Sequence, residues 1–296
     1  MEKPTLKQRV GSFGKFIYNS ETKNVLGRSG RSWAEIGIFY VIYYACLAGF
    51  FAATLAVFNQ TLDSDNPKLQ GSDSLLKGNP GMGFKPMPDI ETTLIHSTKE
   101  GKDDYVKSIK KLLDEYEKAF NEGKGKDCKG QTTLSKDGDE ACAVDFTELT
   151  AECNEANAYG ILEGNPCVLL KLNKIYGWSP ELYSDSEINA LDNVPDSIKN
   201  DYVKEKKIWI DCHGENAADN DNLAKAKVTY SPQQGFPLGF YPYKKQKDYL
   251  SPLVFVKFTG LAKHLAYMIE CKAVAKNIAV DRTEKEGSVH FELLID

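Results

Sequence analysis

The chain is poor in the residues and patterns that carry out chemistry. Only four of its 296 residues are histidine. None of them joins a second His or a Cys-x-x-Cys pair at ligand spacing, which argues against a zinc site. There is no Gly-rich phosphate loop, no dinucleotide fingerprint, no His-Glu-x-x-His, no Gly-x-Ser-x-Gly and no kinase set. Asp137 to Glu148 follows part of a calcium loop, but Cys142 stands where the turn glycine is needed. The triplets Asp63-Ser-Asp65, Asp137-Gly-Asp139 and Asp219-Asn-Asp221 imitate the metal-holding motif of type II glycosyltransferases. In a chain with 42 acidic residues such triplets are expected in solvated loops. No catalytic residue, metal or cofactor is therefore expected. The excess of acid also argues against nucleic acid, which asks for a basic surface.

Long apolar runs are scarce too, and the single exception organises the chain. Ile36 to Leu62 contains no charged residue, and crossing a bilayer core takes ~20 apolar residues. The run starts too late and is too long for a secretory signal peptide. It predicts one transmembrane helix over 35–62. Residues 1–35 carry seven Lys and Arg against three Glu, whereas 59–296 hold the other 30 basic groups and 39 acidic ones. Positive charge on the N-terminal side keeps that side in the cytosol, where it also touches anionic lipid. The organisation expected is a type II membrane protein: a cytosolic arm over 1–34, the span, an extracellular stalk over 63–101 and an ectodomain over 102–296.

Seven cysteines are present. Cys46 lies in the span, leaving Cys128, Cys142, Cys153, Cys167, Cys212 and Cys271 outside. An even set in an oxidising compartment reads as three disulfides, with 15 connectivities open. Nearest-neighbour pairing would close two loops of about 15 residues, worth ~3 kcal/mol each in the chain-entropy model.

Thr61 to Gly101 is rich in Pro, Gly, Asp and Ser, the composition of an extended segment. Asp103 to Asn121 predicts a helix: Val106, Ile109, Leu112, Leu113, Tyr116 and Phe120 form one stripe, and Gly123 ends it. After Cys167 the period changes to two. Val168, Leu170 and Leu172 share a face, as do Ile208, Ile210 and Cys212, then Leu265, Tyr267, Ile269 and Cys271, and finally Val289, Phe291, Leu293 and Ile295. Alternating strands without intervening helices argue for an antiparallel sandwich. Within the span, Tyr40 and Tyr44 stand i, i+4 on one side. Ala45, Gly49 and Ala53 form a small-residue row that lets another helix approach.

Four blocks resemble the beta subunit of the sodium/potassium-ATPase and its proton/potassium-ATPase relatives. They are Lys15 to Glu21 with Leu26 to Trp33, the span's Phe39 to Gly49, Tyr159 to Asn173, and Gly235 to Tyr243 with Tyr249 to Leu253, leading to Ile269–Lys272 and Asn277-Ile278. The resemblance covers nearly the whole chain and is weakest over 63–100 and 178–210.

The resemblance implies a non-catalytic subunit whose catalytic alpha partner hydrolyses ATP, with room for a small single-span regulatory subunit. The beta chain would assist alpha's folding, assembly and exit to the plasma membrane and tune potassium occlusion. It further implies an immunoglobulin-like antiparallel sandwich with an inserted helix, and disulfides in sequence order: Cys128–Cys142, Cys153–Cys167 and Cys212–Cys271. Tyr40, Tyr44 and Gly49 in the span, and Gly235, Phe236, Tyr241 and Tyr243 outside, would meet alpha. One departure stands out. Asn59-Gln-Thr61 is the only Asn-x-Ser/Thr acceptor where the family usually has several, and its place at the membrane exit predicts little or no glycan. A stand-alone type II adhesion or receptor protein is the alternative.

Overall fold

The computed structural model describes residue 13 and residues 16–75, 78–98, 102–136, 138, 140–202, 204–281 and 286–296. Of the arm's basic residues, Lys3, Lys7, Arg9 and Lys15 lie outside that set, as do Asp137 and Asp139. The chain divides into two compact units, Met1–Lys68 and Leu69–Asp296.

The first unit holds a small hairpin and the apolar helix. Strands β1 (Tyr18–Asn19) and β2 (Asn24–Val25) pair antiparallel. Helix α1 runs Gly30–Gln60. Ser29 caps it by accepting a hydrogen bond from the Ser32 amide, which satisfies one of the N–H groups left open at a helix start. None of its residues is buried, so its apolar surface faces outward along the whole length. It is the only helix among the described residues long and apolar enough to cross a membrane.

The second unit is a β-sandwich. In chain order it comprises β3 (Met82–Lys85), β4 (Leu94–Ser97), α2 (Lys102–Asn121), α3 (Phe146–Leu149), β5 (Cys167–Leu172), α4 (Asp185–Asn189), α5 (Asp196–Tyr202), β6 (Lys207–Gly214), α6 (Ala217–Leu223), β7 (Lys227–Ser231), β8 (Gly235–Pro237), β9 (Leu253–Thr259), β10 (Ala266–Val274) and β11 (Ser288–Ile295). One sheet has the order β4-β11-β10-β6-β8 and the other β3-β5-β9-β7. Every pairing in them is antiparallel except β4 with β11. The core lies between the sheets, where Phe291 of β11 meets Phe84 of β3 at 5.2 Å and Phe258 of β9 at 6.1 Å between ring centroids. The period-two reading of β10 and β11 holds: Tyr267, Ile269, Cys271, Val289, Phe291, Leu293 and Ile295 all face this core. Each such side chain contributes roughly 1.5–3 kcal/mol by leaving water.

Helix α2 is the inserted helix, and it covers the other face of the four-stranded sheet. Ile109, Leu113 and Tyr116 pack with Cys167, Leu169, Leu253 and Phe255, so β5 is apolar on both faces. The Tyr116 hydroxyl donates to the Ser251 carbonyl at 2.9 Å. Phe120, the last residue of the expected stripe, remains exposed and touches only the rim, with Phe146 at 6.3 Å.

Two expectations need correction. Residues 63–101 are not stalk throughout, because β3 and β4 join opposite sheets from within that segment. Met82, Phe84 and Ile95 are buried there. Both strands are only four residues long, lie at sheet edges and are flanked by Pro-containing stretches, where Pro costs no ladder hydrogen bond. The strands after Cys167 also have helices between them. Ile188, Val194, Ile198 and Tyr202, from α4, α5 and their connection, pack over Trp209 and Val274 on the outer face of the five-stranded sheet.

Candidate partner interface

The tyrosines of α1 form an exposed aromatic surface. Tyr40 and Tyr44 stack at 6.0 Å, and Phe39 stacks on Tyr43 at 6.2 Å. Gly49 has open space where a side chain would stand. At about 100° per residue it falls roughly 140–180° around the helix from the two tyrosines. The structure therefore does not bring Gly49 onto the Tyr40–Tyr44 face; it belongs to the Ala45–Gly49–Ala53 row on the other side. Asn59 lies in the last turn of α1, and the hydroxyl of Thr61 in its acceptor motif donates to the Phe58 carbonyl at 2.7 Å.

The segment around Gly235 is built into the sandwich. Gly235 and Phe236 belong to β8 and pair with Trp209 and Ile208 of β6. Phe236 is fully buried and Tyr241 is 3% exposed. Their side chains build the interior of the segment. Tyr241 packs edge-on against Trp178 at 5.6 Å, and its buried hydroxyl has no hydrogen-bond partner among the described residues. Burial pushes the Tyr241 and Tyr249 phenols upward, so both stay neutral.

Tyr243 is the one expected contact here that reaches the surface. Its ring lies 4.8 Å from Tyr249 and 6.3 Å from Tyr176, and the Lys174 ammonium stands 4.7 Å from its centroid. That distance is within cation–π range. The backbone locks this arrangement, since Gly177 N–H donates to the Tyr243 carbonyl at 2.8 Å. Lys244, Lys245 and Lys247 follow, all exposed, and give this edge a basic character within an acidic domain. Sequence reasoning missed Lys174, Tyr176, Trp178 and Tyr249, because only the tertiary fold brings 174–178 alongside 241–249.

The three disulfides run in sequence order: Cys128–Cys142, Cys153–Cys167 and Cys212–Cys271. The third joins residues directly opposite each other on β6 and β10. On the outer face of that strand pair lies a polar network the sequence did not reveal. His213 Nδ1 stands 3.3 Å from Asp211, and its Nε2 3.6 Å from Glu270. The Asp211 carboxylate first and Glu270 second hold the His213 imidazole up at about 9. His213 in turn lowers the Glu270 carboxyl. Lys272 closes the group 3.2 Å from Asp211. The alternation of β6 and β10 places these residues outward, but their juxtaposition depends on the register Glu270↔His213 and Lys272↔Asp211.

An apolar helix with outward-facing sides and a disulfide-linked, immunoglobulin-like sandwich define a single-pass membrane protein. Residues 3–291 match the family described as Sodium / potassium ATPase beta chain. Sodium/potassium-transporting ATPase subunit beta-2 of Drosophila melanogaster is 38% identical over 311 residues, covering 99% of this chain and 95% of the relative. Subunit beta-1 of the same organism is 34% identical over 304 residues, covering 99% and 94%. Human subunit beta-2 is 28% identical over 311 residues, covering 100% and 98%. The chain belongs to the sodium/potassium ATPase beta chain family, and the family is that of a subunit.

Proposed function

We propose that this chain pairs with the catalytic alpha subunit of a sodium/potassium pump, assists its folding, assembly and delivery to the plasma membrane, and tunes potassium binding. The observation that carries this reading is the family match along essentially the whole chain. The charge asymmetry around α1 supports a cytosolic N-terminus and an extracellular sandwich. ATP hydrolysis and ion transport belong to alpha in this reading.

Two surfaces suit the partner. The Tyr40–Tyr44 face presents phenol hydroxyls inside lipid, where a hydrogen-bond acceptor on a neighbouring helix stabilises them. The Tyr243–Lys174 edge presents aromatic and cationic groups to alpha's extracellular surface. Gly235, Phe236 and Tyr241 shape that edge from within. The Ala45–Gly49–Ala53 row leaves a second side of α1 for close helix packing, as a small single-span regulatory subunit would need. Asn59 stays unglycosylated, being in the last helical turn at the membrane exit.

The mechanism is differential contact. If these surfaces touch alpha better in its potassium-bound state, the beta chain shifts that equilibrium by the difference in contact free energy. Couplings of ~1–3 kcal/mol are ordinary. The test replaces Tyr40 and Tyr44 with Leu and measures co-assembly with alpha and apparent potassium affinity. Both should fall, and unchanged values for both would remove the helix face from the account. A stoichiometric polytopic companion on purification in mild detergent separates the subunit from a stand-alone receptor.

A further inference from the structure

The described part of the pre-membrane segment is folded, apolar on its outside and tied to the helix at a defined height. Leu26 N–H donates to the Ile17 carbonyl at 3.0 Å, and Val25 and Arg28 exchange backbone bonds at 3.0 and 3.1 Å. The indole N–H of Trp33 donates to the Val25 carbonyl at 2.9 Å. This bond pins the hairpin to the first turn of α1. Phe16, Ile17, Tyr18, Val25 and Leu26 nevertheless remain 44–55% exposed. That is a large apolar area for a short hairpin with Lys23 and Arg28 beside it.

The height of the pin identifies what covers this area. The charge-free run begins at Ile36, three residues after Trp33, so Trp33 stands about 4.5 Å outside the hydrocarbon edge of an upright helix. The headgroup layer is roughly 5–8 Å thick on each side. The hairpin therefore sits within that layer, where amphipathic Trp and Tyr side chains concentrate. The arm's seven basic against three acidic residues complement an anionic leaflet, which attracts basic groups near its surface.

We propose that the Phe16–Gly27 hairpin, pinned by Trp33, is an interfacial lipid-binding element that seats its exposed apolar side chains in the headgroup layer of an anionic leaflet. The Trp33 bond sets the depth, Phe16, Ile17, Tyr18, Val25 and Leu26 enter the acyl boundary, and Lys23 and Arg28 meet lipid phosphate. This deepens the membrane reading above and rests only on α1 spanning the bilayer. It requires neither the orientation nor the alpha partner.

The experiment uses the full chain, alone, in vesicles of phosphatidylcholine with or without phosphatidylserine. Single spin labels are placed at Ile17→Cys, Val25→Cys and, as a water-exposed reference, Ile90→Cys, each with Cys46→Ser. Relaxation by oxygen and by a water-soluble nickel chelate reports depth. Labels at 17 and 25 should show several-fold lower nickel accessibility than the label at 90, falling further with phosphatidylserine. Trp33→Phe should restore nickel access at 25 while the helix stays inserted. Nickel accessibility at 17 and 25 equal to that at 90 in both lipids overturns the proposal. So does shielding that appears only when a catalytic subunit is co-reconstituted, since a protein would then be the cover. Unaltered depth in Trp33→Phe overturns the pin. Failure of the partner reading would leave all of these results in place.

Discussion

Replacing Gly235 with Ala separates a shaping role from a contact role for the segment around Tyr243. Gly235 has φ 146°, in a region essentially reserved for glycine, where a side chain costs ~1–3 kcal/mol. A Cβ there would lie 2.4 Å from the Ile208 carbonyl oxygen and 3.1 Å from the Ile208 carbon and the Trp209 Cα. All three are backbone atoms of β6, so no side chain can swing away to make room. Forced overpacking adds another ~1–3 kcal/mol, and the total is about 4 kcal/mol. For a unit of this size that corresponds to a fall in melting temperature of roughly 10 °C. The control is Gly260→Ala, which has φ 82° but nothing within 4 Å of the new methyl; it should cost only the backbone share, ~1–2 kcal/mol. The assay is thermal unfolding of the full chain in nanodiscs, followed by circular dichroism and by Trp178 and Trp209 fluorescence. A Gly235→Ala chain that melts with the parent but loses a partner would refute the steric reasoning and make this residue a contact.

The remaining expectations concern the disulfides and the histidine network. Removing Cys212–Cys271 by double Ala substitution opens a loop of 59 residues' separation and should cost about 4 kcal/mol, against ~3 for either shorter loop; denaturant midpoints in the reverse order would contradict the chain-entropy argument. His213 is held above its ordinary 6.5, at about 9, so its stabilising contribution is complete below pH 6.5 and is lost as pH rises through 9. The full shift corresponds to ~3 kcal/mol, and at 30% side-chain exposure solvent screening leaves ~1–2 kcal/mol. Urea midpoints across that window should fall by this amount in the parent and stay flatter in His213→Gln; parallel curves would remove His213 from the account.

Legibility followed the length scale of each signal. The 31-residue helix α1 and the stripe on α2 carry enough periods to be read without a partner structure. The long strands β10 and β11 are read equally well, since each buries every second residue. Four-residue β3 and β4 offer two periods at most and sit among prolines, so they looked like stalk. The short helices α4 and α5 escaped for the same reason. Phe236 and Tyr241 were expected to meet alpha from the resemblance alone, because a Pro- and Tyr-rich stretch without periodicity shows no buried face. Only pairing with β6 and the packing of Trp178 turn them inward. The His213 network was out of reach because cross-strand neighbours are fixed by register, and register is a property of two segments together.

The parallel ladder between β4 and β11 gives the sheet an unusual order of completion. β11 comes after β10 in the chain, yet in the sheet it lies between β10 and β4, one of the first strands beyond α1. While the polypeptide is being made, Leu94–Ser97 must wait with an unsatisfied edge until β11 has been made and slots in between. Without β11 the five-stranded sheet has a gap between β4 and β10. Deleting β11 should therefore disable the five-stranded sheet as a whole rather than trim one of its edges.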